Sequence, residues 1–139
     1  MDESLDVHGA KKITQEMERE IAGFVPAPSV ASEEQLQEGV LLSCGGDRSF
    51  QWTGHDYLTL TGTLDSEPIV AAVGEEFSTR ESFRTSRDMT QDGVPRVHVH
   101  GPNGSLYSLA LSVDRKKIEI LSFSPCFRLA DDLSPRLRY

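Results

Sequence analysis

The chain has 139 residues, a length at which one domain with its own core is the common outcome. Its 37% apolar and 26% charged content excludes a disordered chain of low hydrophobicity. A net charge of −8 with no long basic tract excludes nucleic acid as an expected partner, because an acidic surface repels a phosphate backbone.

The charge is uneven. Residues 1–38 hold nine acids against three bases, and the remaining residues are nearly balanced. No run approaches the roughly 20 apolar residues that a membrane helix needs. Met1 leads into "DESLDVHG", acidic where an export leader is basic and then apolar. Two readings follow: a cytoplasmic chain, or an exported one whose leader has been removed.

Residues 1–9 are polar and are expected to form a flexible tether. From Ala10 the spacing turns helical, with Ala10, Ile13, Met17, Ile21 and Phe24 at steps of three and four. Thr14, Gln15, Glu16, Glu18 and Arg19 are assigned to the opposite, solvent face. Gly23 and "PAPS" end the helix, since proline neither donates to a helix nor continues one.

Period two then takes over. "GVLLSCGGDRSFQWTGHDYLTLTGTL" predicts three short strands, about Val40–Cys44, Arg48–Thr53 and Tyr57–Leu64, with turns at Gly45-Gly46-Asp47 and Gly54-His55-Asp56. Asp65-Ser66-Glu67-Pro68 reads as a helix start, with a cap, an early acid and an early proline. Ile69, Val70, Ala72, Val73 and Phe77 form that helix's buried stripe. Four more strands follow, Phe83–Thr90, Val94–His100, Ser105–Val113 and Ile118–Phe123, joined by turns that include Asp92-Gly93 and Asn103-Gly104. The expectation is an α+β fold in the order α-β-β-β-α-β-β-β-β: an antiparallel sheet with two helices packed on one face. The domain spans residues 10–130, with a C-terminal tail at 131–139.

Few side chains are placed for chemistry. His98 and His100 stand two apart on a predicted strand and so share a face. Such a pair holds zinc or copper only if a third ligand arrives, and Arg96 on the same face repels a cation. The plainer account puts Val97 and Val99 in the core and Arg96, His98 and His100 in water. Trp52, Tyr57 and Tyr107 fit sheet core better than a ligand patch. Glu75–Glu76 and Asp131–Asp132 are adjacent pairs that point apart rather than facing dyads. There is no GxSxG elbow, and "GPNGS" joins two strands where a phosphate cradle would open a helix. No catalytic residue, metal site or cofactor is assigned.

The two cysteines are Cys44 in "LLSCGG" and Cys126 in "SFSPCF". Their 82-residue separation excludes a CxxC redox motif or a metal knuckle. Spacing alone leaves two readings open: unconnected buried thiols, or a disulfide between strand ends.

The segments "ITQEMEREIAGFVP", "LLSCGGDRSFQWTG", "VPRVHVHGPNGSLYSLALSV" and "IEILSFSPCF" resemble small cell-envelope lipoproteins of actinobacteria, a group without an assigned activity. The resemblance covers roughly residues 10–130 and rests on cadence and on the paired SC and SPC, not on a catalytic motif. It implies export, a lipid anchor on a removed N-terminal segment as the only membrane link, and an oxidising compartment in which Cys44 and Cys126 are bonded.

The function expected is therefore a non-enzymatic extracytoplasmic binding or structural module for an unknown envelope ligand or protein. Its candidate surface is the sheet face opposite the helices, with Thr59, Thr61, Thr63, Arg96, His98 and His100 as the polar members. The alternative is a small acidic cytoplasmic inhibitor of the immunity type. Complementary charge would speed its capture of a basic partner.

Overall fold

The computed structural model describes residues 3–139. The first helix, α1, spans Val7–Ala22 and is capped by Asp6, whose Oδ1 accepts from the Gly9 amide at 2.7 Å. It starts one turn ahead of the predicted Ala10, so Val7, His8 and Gly9 of the expected tether are helical. Residues 1–2 of that tether lie outside the described residues.

The buried stripe of α1 is rotated by one residue from the predicted one. Val7, Ala10, Thr14, Glu18 and Ile21 face inward, while Ile13 is 39% exposed. Thr14 is tolerated there because its hydroxyl donates back to the Ala10 carbonyl at 2.8 Å. Glu18 has no such local remedy.

A short 3-10 turn at Ala27–Ser29 leads into β1 (Val30–Gln35). The sequence pattern assigns no element there, because "VASEEQ" lies on the sheet edge and shows no clean alternation. Next come β2 (Leu41–Ser43) and β3 (Ser49–Leu60). β3 merges two predicted strands. Gly54-His55-Asp56 is not a turn but the middle of one twelve-residue strand. Paired neighbours on both sides hold it extended: His55 and Asp56 lie opposite Leu121 and Ile120.

Helix α2 covers Glu67–Ser78, with Asp65 Oδ1 accepting from the Glu67 amide at 3.1 Å and Ile69, Val70, Val73 and Phe77 buried. The chain then forms β4 (Arg84–Met89), β5 (Pro95–His100), β6 (Leu106–Leu111), β7 (Lys117–Phe123) and the two-residue β8 (Phe127–Arg128). Every pairing is antiparallel, in the order β1-β3-β7-β6-β5-β4, with β2 and β8 both added to β3. The free edge at β4 carries Arg84, Arg87 and Asp88, charges that discourage edge-to-edge pairing. The fold is the expected α+β, with α1 against β3 and β7 and α2 against β4 and β5.

Strict alternation on β5, β6 and β7 separates the two sheet faces. Val97, Val99, Tyr107, Leu109, Ile118 and Ile120 point toward the helices and meet Val70, Val73 and Phe77. A second cluster lies under the start of α1, where Val7 and Ala10 cover Trp52, Phe127 and Leu129. Tyr139, at the end of the C-terminal tail, packs against this region. Its backbone exchanges hydrogen bonds with Gly39 at 2.7 and 2.9 Å, and its carbonyl accepts from Trp52 Nε1 at 2.6 Å.

Gly54 is the position on β3 where the Trp52 ring and α1 come together. A Cβ there would stand 2.3 Å from the indole and 3.3 Å from Glu18 Oε2. Gly54→Ala is therefore expected to lower unfolding free energy by about 1–3 kcal/mol, the usual range for overpacking. Denaturant titration followed by Trp52 fluorescence reads this directly, and an unchanged midpoint would contradict the packing described.

Candidate functional site

Cys44 and Cys126 are joined by a disulfide, with Cα atoms 6.4 Å apart. Cys44 directly follows β2, and Cys126 directly precedes β8. Those two strands flank the first half of β3 on opposite sides: Phe50 lies opposite Ser43 on one side and Phe127 on the other. The bond thus ties two very short strands, of three and two residues, on either side of β3. Ser124, just before Cys126, supports the same junction, since its hydroxyl accepts from the Trp52 amide at 2.8 Å and donates to the Pro125 carbonyl at 2.9 Å. Arg48 clamps the following segment through the carbonyls of Leu129, Ala130 and Leu133.

The face opposite the helices is open. Arg96, His98 and His100 lie on it, with Val97 and Val99 turned into the core. Their environment is an ordered polar chain. Arg96 donates to both carboxylate oxygens of Asp88, at 2.8 and 2.6 Å, across the β4–β5 pair. His98 Nε2 lies 3.1 Å from Asp88 Oδ1, and its Nδ1 lies 2.6 Å from Ser108 Oγ. An ionised carboxylate can only accept, so Nε2 carries a proton. The Arg96 guanidinium, followed by His98, holds the Asp88 carboxyl far below the ordinary range. His100 pairs with Ser86 Oγ at 3.2 Å, and burial and then Arg84 lower its pKa. Both His98 nitrogens are engaged, and among the described residues no three His, Cys, Asp or Glu side chains group as a metal site requires.

Beside this chain the face turns apolar. Leu121, 48% exposed, lies between Ser108 and His55 in the sheet register. A shallow cleft of about 150 Å³ runs along it, bounded by Arg96, Ala110, Val113 and Glu119. On β3 the rings of His55 and Tyr57 stack at 3.9 Å, with Lys117 Nζ 5.6 Å from the tyrosine ring. Trp52 and Tyr107, by contrast, are buried.

The predicted threonines separate from the histidines. β3 ends at Leu60, so Thr59 is still within the strand while Thr61 and Thr63 lie in the loop beyond it. That corrects the expectation that all three alternate on one strand. Together they line a groove of about 610 Å³ with Arg115 and Lys116, and the Thr61 hydroxyl donates to the Pro28 carbonyl at 3.1 Å. β3 and β5 are separated by β7 and β6, a distance of roughly 14 Å at ordinary strand spacing. The six residues therefore form two groups, not one site.

Sequence reasoning missed two features. Asp88 organises the Arg96–His98 chain, but its role depends on the β4–β5 register. Glu18 and Asp56 are both fully buried between α1 and the sheet. Glu18 Oε1 accepts from Gln35 Nε2 at 3.1 Å, whereas Glu18 Oε2, both Asp56 oxygens and Ser122 Oγ have no partner. Burial pushes the Glu18 carboxyl up to about 7. Burial, and then the Glu33 carboxyl beside it, pushes Asp56 up to about 8. Grooves of about 400 and 340 Å³ between α1 and β1 reach Arg19 and Glu33 but are not lined by Glu18 or Asp56. A signal existed for Glu18 alone: Ala10, Thr14 and Glu18 follow each other at steps of four.

No protein-family model, curated protein or solved structure matches this chain.

In the chain-entropy account a loop of this separation stabilises the fold by roughly 4.5 kcal/mol before native strain. The double variant Cys44→Ser/Cys126→Ser is expected to melt lower by about 10 °C or more on that basis. Thermal circular dichroism of both proteins checks this, and a shift within error would show that the bond is dispensable.

Proposed function

We propose that this chain is an extracytoplasmic binding module whose partner surface is the open sheet face around Leu121. The observation that carries the reading is the composition of that face. A half-exposed leucine and a stacked His55–Tyr57 pair sit beside a pre-formed Asp88–Arg96–His98–Ser108 chain. An apolar centre with an ordered polar border is how protein-recognition patches are built. The polar chain is fixed before any partner arrives, so little side-chain entropy is lost on docking.

The disulfide supports placement in an oxidising compartment, because cytosolic thiols are kept reduced. The likeness to envelope lipoproteins supports an anchored placement within that compartment. No catalytic step is part of this reading.

A photo-crosslinking amino acid at position 121 in the living cell tests the surface, with the same group at exposed Lys12 on α1 as control. A discrete adduct from position 121, absent from position 12 and lost when Arg96→Ala is added, is the expected outcome. Equal adduct patterns from both positions would contradict the assignment.

A further inference from the structure

We propose that Glu18 and Asp56 form a protonation latch: with both carboxyls neutral α1 stays seated on the sheet, and their ionisation loosens it. The latch does not depend on what the open face binds.

The geometry is specific. Glu18 is the only charged residue on the buried stripe of α1, and it projects onto β3 where Gly54 leaves room for it. Asp56 is on the same face of β3, opposite Gln35 of β1. Three of their four carboxylate oxygens lack a partner, as does Ser122 Oγ on β7. A neutral carboxyl carries its own donor and tolerates such a place. A carboxylate there is shut off from bulk solvent and has too few donors.

The surroundings on every packed element offer little compensation. From α1, Arg19 is the one cation that favours ionised Asp56, but its Nε is committed to Gln35 Oε1 at 3.0 Å. From β1, Glu33 opposes ionisation of both groups, and Gln35 gives Glu18 a single bond. From β7 the Ser122 hydroxyl faces Glu18 and favours its ionised form, an effect that burial outweighs. From β6, Tyr107 is neutral throughout, its phenol pushed up to about 12 by burial. Glu18 and Asp56 also repel each other once charged.

The sign follows. Both carboxyls hold their protons more tightly in the seated state than in an opened one. The stabilisation is complete below about pH 4 and is lost as pH rises through about 7 for Glu18 and 8 for Asp56. Opening α1 hydrates both groups and releases that constraint. The helix should therefore loosen on the alkaline side, uncovering Trp52 and the groove beside β1.

Hydrogen exchange of the α1 amides, corrected for intrinsic rates, tests this on the intact protein. Between about pH 5.5 and 8.5 their protection should fall by at least about tenfold, the equivalent of one pKa unit. The urea dependence of that exchange should be much shallower than that of global unfolding. In Glu18→Gln and Asp56→Asn the fall should shrink or vanish. A pH-independent protection, a fall that persists in both variants, or a urea dependence equal to global unfolding would each overturn the latch. Should either variant fail to fold, carboxyl-carbon NMR of the wild-type protein decides alone. Titration of both groups above about pH 6 supports the latch, and titration near about pH 4 overturns it.

Discussion

β3 is the constraint on which the rest of this fold depends. Its twelve residues pair with four different strands, β2 and β8 along the first half and β1 and β7 along the second. A strand shared in this way holds two small assemblies in one register. β2 and β8 are too short to pair stably by themselves, at three and two residues. The Cys44–Cys126 bond ties them on either side of β3, and Trp52 on the same strand gathers α1, Phe127 and Leu129 over the junction. The bond adds to the Ser124 and Arg48 hydrogen bonds that hold these two short strands against β3.

Much of the architecture was legible because alternation is strong where burial is one-sided. β5, β6 and β7 each bury every second residue, and their boundaries lie within two residues of the predicted ones. The α2 stripe was equally plain, since Ile69, Val70, Val73 and Phe77 leave no other face to bury. The failures share a physical cause. β3 was split because Gly-His-Asp has turn chemistry, which tertiary pairing on both sides overrode. β1 was missed because an edge strand need not alternate. The α1 face was misjudged because a threonine and a glutamate occupy buried positions that a binary pattern assigns to water.

The same limits apply to the functional residues. Arg96, His98 and His100 were placed on the open face by period two alone, and the sequence also put Val97 and Val99 behind them. Their partners Asp88, Ser86 and Ser108 come from neighbouring strands and are set by register, which no local pattern encodes. The threonine set dissolved because alternation was extended beyond the end of the strand.

The two faces of the sheet thus carry different physics. On the outer face Asp88, Arg96, His98 and Ser108 are tied to one another beside the half-exposed Leu121. The inner face hides two acids, Glu18 and Asp56, whose burial favours the neutral form over the few groups that favour the charged one. The architecture turns on the Cys44–Cys126 bond, which staples β2 and β8 across β3. The most direct test is to alkylate the protein in intact native cells and count modified cysteines by intact mass. Protein carrying no alkyl group before reduction and two after it is the predicted result. Two alkyl groups added without reduction would contradict the account, and would favour instead an acidic cytoplasmic inhibitor that seeks a basic partner.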